Sequence, residues 1–195
     1  MAIPRGQARE TILQSAEGLV KERGASAVTV EAVAKAAGSA KGLVHYHFKT
    51  KLGLLGAVME RIAQSRTSEW LAALEPGAPQ SAAERSWNLL TNESINGVTL
   101  AWHTLLQSGD VFVDQSVKNV VNEFSRALGD AFVRLLKEDM HLAPTVPNEE
   151  VGWLMTAVID GIGMQLLAGA SEQELQGAYA AAWLGVLSLT APRGS

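Results

Sequence analysis

Two histidines and three lysines lie close together in the stretch GSAKGLVHYHFKTK, residues 38–51. His45 and His47 are spaced as a His-x-His pair, but residues two apart on a helix do not share a face, and no carboxylate cluster accompanies them. The lysines and Tyr46 instead offer cations and a hydroxyl that can bind the phosphates of a polyanion. The chain has no cysteine, so it offers neither thiolate ligands nor disulfides. The stretch therefore favours anion binding over a metal site.

Other spacings that can support catalysis are incomplete. Glu138 and His141 form one Glu-x-x-His pair, whereas a di-iron helix bundle needs two such pairs and further carboxylates. Gly161 and Gly163 lack the third glycine and the preceding strand of a phosphate-binding loop. Neither Gly-x-Ser-x-Gly nor His-Glu-x-x-His occurs in the sequence. We therefore expect no catalytic residue, no metal and no cofactor, and we expect that the protein is not an enzyme.

Charge is distributed unevenly along the chain. Residues 1–51 contain eight Lys or Arg and four Glu, whereas residues 52–195 contain eight Lys or Arg and sixteen acidic residues. The formal net charge of −4 therefore conceals a basic N-terminal segment. Such segregation indicates a small module that meets a polyanion, joined to an acidic body that does not.

Hydrophobic periodicity and capping residues predict that helices position this stretch. A first helix over about 6–23 ends at Gly24, and Thr29 caps a second, short helix that Gly38 terminates. A third helix begins within one or two residues of that glycine and covers about 40–47. Two short helices joined by a tight glycine turn are typical of a helix-turn-helix.

The rest of the chain also has helical periodicity, and we see no strand pattern, repeat or low-complexity tract. The predicted helices are about 51–73, 81–107, a short one near Val111, 116–141, 149–168 and 171–189. The N-terminus has no apolar signal core, and the longest uncharged stretch is short for a bilayer span. We therefore expect a cytoplasmic protein without a membrane partner.

The run from Thr29, TVEAVAKAAGSAKGLVHYHFKTKLGLL, resembles the DNA-binding signature of the TetR family of bacterial transcriptional regulators, and DGIGMQLLAG (160–169) is similar to their penultimate helix. The resemblance implies an all-α fold with an N-terminal three-helix helix-turn-helix module and a C-terminal helical domain for ligand binding and dimerisation. It implies a DNA-binding domain at 1–51, with its motif at about 28–47, and an effector-binding and dimerisation domain at 52–195. The implied function is sequence-specific transcription regulation by a ligand-released, homodimeric repressor on a pseudo-palindromic operator of double-stranded DNA.

The resemblance assigns DNA contacts to the helix-turn-helix and its flanks. Lysines suit phosphates, whereas residues at the leading end of the third helix reach base edges. Two positions depart from the family pattern. Ala40 replaces the usual Ser or Thr cap, so the hydroxyl of Ser39 either caps the helix or contacts DNA, and His45 replaces a tyrosine. The predicted DNA-binding residues are Thr29, Ser39, Ala40, Lys41, Gly42, Leu43, His45, Tyr46, Lys49 and Lys51.

The segment WNLLTNESINGVTLAWHTLLQ, residues 87–107, carries aromatic, apolar and polar residues on one helical stripe. A mostly apolar cavity with a few polar groups is how proteins hold small molecules, although ordinary core packing explains each single residue equally well. The predicted binding residues for a largely apolar small-molecule effector are Trp87, Thr91, Trp102, His103, Met155 and Ile159.

The last two predicted helices are apolar nearly all round, which requires burial on more than one side. One face can cover the chain's own core, and the other is expected to meet the same helices of a second copy. Two other hypotheses remain from the sequence: a helical metalloenzyme that uses Glu138 and His141, and a purely protein-binding helical adaptor. Both leave the basic N-terminal segment unexplained.

Overall fold

Residues 5–78, 80–108 and 115–192 are described by the structure, which is a computed structural model. Within these ranges the chain folds into nine α-helices. They are α1 Arg5–Arg23, α2 Val30–Ala36, α3 Lys41–Phe48, α4 Lys51–Ala73, α5 Ala82–Ile95, α6 Val98–Gln107, α7 Gln115–Asp139, α8 Asn148–Leu167 and α9 Glu172–Ser188. The predicted all-α fold with an N-terminal helix-turn-helix is confirmed.

The helices form two compact units. Unit 1 comprises the described residues of Met1–Ala63 and Asn96–Val120, and unit 2 comprises those of Gln64–Ile95 and Val121–Ser195. The chain therefore passes from one unit to the other within α4, between α5 and α6, and within α7. The predicted division after residue 51 concerns function and stays a prediction, because these units describe packing.

Unit 1 is built around α1. The apolar stripe that predicted the first helix is buried, and its members are Ile12, Leu13, Ala16, Leu19 and Val20. α1 packs against α2, α3 and α6. The turn after α1 is held from α6, because the N–H of Ala25 donates to the hydroxyl of Thr104 at 3.1 Å. α6 therefore supports the N-terminal helices directly.

A glycine separates α5 from α6, where the sequence predicted one helix over 81–107. That prediction is wrong. Gly97 has a φ of 81°, a left-handed conformation that interrupts the helix, and a Cβ at this position would collide with the backbone carbonyl of Lys21. Only a residue without a side chain permits both features. The short helix predicted near Val111 lies outside the described residues.

The remaining predicted helices are confirmed, with ends that differ by at most two residues. α4 has the predicted bounds, and Ser171 caps α9. The hydroxyl of Ser171 accepts from the N–H of Glu174 at 3.3 Å, and the carboxylate of Glu174 accepts from the N–H of Ser171 at 2.9 Å. This reciprocal pair is a capping box. No helix in the described ranges is both long and apolar enough to cross a membrane.

Unit 2 contains α5, α8, α9 and parts of α4 and α7. α5 packs against α8 and α9, and α8 packs against α9. The largest side chains buried in this unit are aromatic: Trp70, Phe124 and Phe132. These helices therefore enclose an aromatic core and leave one face of α8 and α9 uncovered.

A small antiparallel sheet closes unit 2 at the C-terminal ends of α7 and α9. Strand β1, Leu142–Pro144, pairs with β2, Thr190–Pro192, so that Ala143 lies opposite Ala191. The expectation of no strand is wrong here. A three-residue strand that contains proline is too short to produce the alternating pattern by which strands are recognised in a sequence.

The contact between Gly97 and the Lys21 carbonyl supports a stability prediction. We expect Gly97→Ala to lower the free energy of unfolding by about 1–3 kcal/mol or more, because the Cβ meets both a strained backbone and the carbonyl. Gly56→Ala is the matched control, since Gly56 lies within α4 with open space around its Cβ position, and it should stabilise by about 0.5–1 kcal/mol. Urea unfolding followed by circular dichroism measures both. Equal stabilities for the two variants would contradict the packing described here.

Candidate functional site

The helix-turn-helix is fixed by local hydrogen bonds at both ends of α2. The hydroxyl of Thr29 accepts from the N–H of Ala32 at 3.0 Å, which confirms the predicted cap. At the other end Gly38 has a φ of 59°, and the N–H of Ser39 donates to the carbonyl of Ala34 at 2.9 Å. These contacts turn the chain directly into α3.

The leading end of α3 begins at Ala40 and has no side-chain cap. The hydroxyl oxygen of Ser39 is buried and has no hydrogen-bond partner among the described residues. Of the two roles suggested for this hydroxyl, capping therefore does not occur. Ala40, Lys41 and Gly42 are exposed, whereas Leu43 is half-buried. The surface at this end consists of a methyl group, a lysine and bare backbone.

Lys41 has an intramolecular partner that the sequence did not reveal. Its Nζ lies 3.1 Å from Oε1 of Glu31 in α2, and both side chains are exposed, at 61% and 77%. Exposed ion pairs contribute little to stability, since water competes for both charges. The ammonium of Lys41 can therefore exchange this carboxylate for a phosphate at small cost.

Four further predicted DNA-binding residues lie between the trailing end of α3 and the start of α4. His45, Tyr46 and Lys49 are exposed, and the Nζ of Lys49 lies 5.3 Å from the centre of the Tyr46 ring. The Nδ1 of His45 lies 3.4 Å from the carbonyl oxygen of Lys49. Lys51 is exposed at the start of α4. Together with Lys41, these side chains form a basic and aromatic edge along α3 and the start of α4, which we call the basic edge.

Two residues of α3 serve the core. Val44 and Phe48 are buried, at 2% and 7% exposure. The guanidinium carbon of Arg9 in α1 lies 5.1 Å from the centre of the Phe48 ring. Arg9 is exposed and was not among the predicted residues, although it adds another cation to unit 1 close to the end of α3.

The six predicted effector-binding residues are divided between the units. Trp102 and His103 lie on α6 in unit 1, whereas Trp87 and Thr91 lie on α5 in unit 2. In unit 2, Met155 and Ile159 of α8 are also buried. The shared stripe that grouped these residues required a continuous helix, and Gly97 interrupts it.

A cavity of about 530 Å³ lies between α5 and α9 in unit 2. Of the predicted effector residues, only Trp87 lines it. The lining residues are Gln80, Ala83, Glu84, Trp87, Asn88, Gln176, Tyr179, Ala180, Trp183 and Leu184. The volume falls within the usual range for small-molecule sites. Tyr179 and Trp183 were missed because an aromatic residue on an apolar helix is usually a core residue.

A buried ionic network lies in another part of unit 2. Arg66 of α4 has its Nε 3.0 Å from Oε1 of Glu93, and its Nη2 lies 3.1 Å from Oδ1 of Asp160. The side chains of Arg66 and Glu93 are each 2% exposed. The indole of Trp70 donates to the same Glu93 oxygen at 2.9 Å, and the Phe124 ring lies 4.8 Å from the guanidinium carbon. Burial raises the pKa of Glu93, and the charge of Arg66 opposes this shift.

Glu138 and His141, the pair considered for a metalloenzyme, are both exposed. Across residues 5–78, 80–108 and 115–192, no group of three His, Cys, Asp or Glu residues is arranged to hold a metal ion. The described residues therefore contain no set of ligands that would support the metalloenzyme hypothesis.

Comparison with known proteins identifies the N-terminal segment and the fold. Residues 12–58 match the sequence family described as bacterial regulatory proteins, tetR family. No curated protein matches the chain in sequence.

Solved structures with a similar fold cover nearly the whole chain. One from Rhodococcus sp., described as a TetR-family transcriptional regulator, superposes with a TM-score of 0.72 at 24% identity and covers 92% of this chain and 97% of its own. Escherichia coli NemR in its reduced form gives 0.70 at 16% identity, with 96% and 99% covered. The multidrug binding protein EbrR, complexed with imidazole, gives 0.61 at 21% identity, with 89% and 93% covered. At these identities the likeness shows the fold.

The Arg66 network leads to a prediction with an internal control. Glu93→Gln should lower the free energy of unfolding by about 3–5 kcal/mol, because it leaves a buried guanidinium without its main counter-charge. Asp160→Asn removes a carboxylate that is 23% exposed, so it should cost about 1 kcal/mol or less. Chemical denaturation of the two variants measures the difference. Equal losses would mean that the two carboxylates share the buried charge evenly, contrary to their burial.

Proposed function

Because residues 12–58 match the tetR family of bacterial regulatory proteins, we propose that this chain is a homodimeric transcription repressor that a small molecule releases from DNA. The single observation that carries the DNA-binding role is the exposed edge of α3, where Lys41, Lys49 and Lys51 accompany an uncapped leading end. The match supports a role in transcription regulation. Repression, dimerisation and ligand release are proposals supported by the features described below.

Two classes of DNA contact are proposed for this edge. Ala40, Lys41 and Gly42 would lie in the major groove, where side chains at the start of a recognition helix reach base edges. His45, Tyr46 and Lys49 would contact phosphates, which set the register of the helix without reading sequence. Thr29 and Lys51 flank the motif on either side and would contact the backbone. Ser39 and Leu43 are less exposed and would contribute through the backbone and apolar contact.

A homodimer is supported by the apolar face of α8 and α9. Five large apolar side chains on these helices are exposed: Trp153, Leu154, Met164, Leu167 and Leu184. Gly161, Gly177 and Gly185 have open space around their Cβ positions, so a second helix can approach closely. An apolar patch of this kind, on helices already packed together, is typical of a twofold interface. Two recognition helices would then occupy successive major grooves, roughly 34–36 Å apart, on a pseudo-palindromic operator.

Ligand release is supported by the cavity in unit 2 and by the path of the chain. EbrR, which is similar in fold, is complexed with imidazole, and this supports a small-molecule ligand for the present chain. In the present chain α4 carries residues of both units, and α6 packs on α1 beside the helix-turn-helix. A ligand that favours one conformation of unit 2 would shift the population toward a form that does not bind DNA, with a coupling of about 1–3 kcal/mol.

The DNA-binding proposal predicts that Lys41→Ala combined with Lys49→Ala abolishes operator binding while the protein stays folded. Each lysine neutralises a phosphate or contacts a base, so their loss removes both affinity and part of its salt dependence. The operator is first selected from genomic fragments with the purified protein, and fluorescence anisotropy over a salt series then measures affinity. Binding by the double variant at wild-type strength would defeat the assignment.

Two control variants sharpen that experiment. Lys137→Ala removes one positive charge from α7, outside the basic edge, and should leave operator affinity unchanged. Glu31→Gln removes the intramolecular partner of Lys41 and should bind operator at least as tightly as the wild type, since the ammonium is then free for DNA.

The dimer proposal predicts that Met164→Glu converts a dimer into a monomer at micromolar concentration, because it places a charge in the apolar face of α8. Ile95→Glu is the matched control. Ile95 is 78% exposed at the end of α5, outside this face, so this variant should remain dimeric. Light scattering measures both masses. A monomeric wild-type protein would contradict the proposed interface.

A further inference from the structure

The cavity between α5 and α9 has aromatic walls. Trp87, Tyr179 and Trp183 line it together. The Trp87 and Tyr179 ring centres lie 5.3 Å apart at an interplanar angle of 43°, and those of Tyr179 and Trp183 lie 6.5 Å apart at 77°. The rings are thus turned relative to one another, and the exposed fractions of Trp87, Tyr179 and Trp183 are 8%, 3% and 5%. A ring face carries the negative part of the aromatic quadrupole and attracts cations.

Contacts with Ser86 and Phe132 hold two of these rings in place. The hydroxyl of Tyr179 donates to the hydroxyl oxygen of Ser86 at 2.6 Å, and Phe132 packs against Trp183 with ring centres 4.6 Å apart. Burial raises the pKa of Tyr179, an effect that its hydrogen bonding to Ser86 and a weaker influence of Trp183 oppose. The phenol therefore remains neutral at physiological pH. The aromatic surface exists before any ligand arrives, so little ordering is needed on binding.

The described lining of the cavity carries a single charge, which is negative. Glu84 in the first turn of α5 is the only charged residue among the described lining residues, and the others that are polar are amides, a phenol and indoles. Arg85 is adjacent in sequence but is directed elsewhere. Its guanidinium donates to the backbone carbonyls of Ala73, Glu75 and Gln80. No cation therefore neutralises Glu84 within the described lining.

We propose that this cavity binds an organic monocation, with an alkylammonium or similar cationic group against Trp87, Tyr179 and Trp183 and its charge toward Glu84. The inference rests on the proposed function, since it names the chemical class of the effector. Aromatic faces and an acidic rim both favour a cation, whereas an anion would meet Glu84 without a counter-charge. The acidic balance of residues 52–195 acts in the same direction at longer range.

The test uses two molecules of the same shape that differ in charge: 4-(hydroxymethyl)phenyltrimethylammonium and 4-tert-butylbenzyl alcohol. Isothermal titration calorimetry on the full chain should give a dissociation constant at least about tenfold lower for the cation, the size expected for desolvated cation–π contacts. Equal binding of the two molecules, tighter binding of the neutral one, or no binding of the cation would each overturn the proposal.

Two variants in the cavity and one control variant test whether the cation binds there. Glu84→Gln should weaken the cation by about threefold, since its carboxylate is exposed and screened, and should leave the neutral molecule unchanged. Trp87→Leu should weaken the cation by about tenfold, with circular dichroism confirming that the variant is folded. Glu138→Gln removes the same charge from α7 and should have no effect. An equal effect of Glu84→Gln and Glu138→Gln would assign the preference to net charge and overturn the site.

Operator binding is measured separately, so that the two proposals can fail independently. A protein that binds the cation in this cavity but selects no DNA would retain the cation site and refute the proposed repressor. A protein that binds operator yet shows no preference for the cation would retain the DNA-binding role and refute the cation site.

Discussion

The buried guanidinium of Arg66 is the constraint on which unit 2 depends. It joins three helices, because Arg66 lies on α4 while Glu93 lies on α5 and Asp160 lies on α8. Removing two charges from water is costly, and only well-aligned partners offset that cost. Here the guanidinium has two carboxylates and an aromatic ring, and Glu93 also accepts from Trp70. The network therefore connects three helices through directional contacts, and one of these helices, α5, also lines the cavity.

The same helix that carries this arginine begins at the basic edge beside α3. α4 runs without a break from Lys51 to Ala73, so the backbone that leaves the helix-turn-helix continues directly to Arg66. A second connection follows from the break at Gly97, after which α6 packs on α1 and its Thr104 hydroxyl accepts from the turn at Ala25. A ligand that alters α5 would thus act on segments that lead into unit 1 at two points of the chain.

Local signals determined which parts of this structure were predictable from sequence. Thr29 and Gly38 act through bonds or backbone angles within a few residues, and their predicted roles are confirmed. Gly97 acts through the carbonyl of Lys21, far away in sequence, so the predicted helix over 81–107 was wrong, and so was the stripe that joined Trp87 to Trp102. The pairing of Arg66 with Glu93 was equally invisible, because a charged residue on a helix usually faces water. Caps and turns that depend on neighbouring residues could be predicted from the sequence, whereas contacts between residues far apart in the chain could not.

The start of α3 departs from the family pattern, and the structure changes how this motif is interpreted. The family pattern expects a hydroxyl at the helix cap, and this chain has Ala40 there, with the Ser39 hydroxyl buried behind it. The first N–H groups of a helix have no partners within the helix, and a side-chain cap normally satisfies one of them. Without that cap, the exposed start of α3 retains its donors beside Lys41, where helix N-termini favour anions. In the proposed complex a DNA phosphate or base acceptor would accept from these N–H groups. The absence of a cap would therefore lower the stability of the free helix and increase the free energy gained on binding DNA.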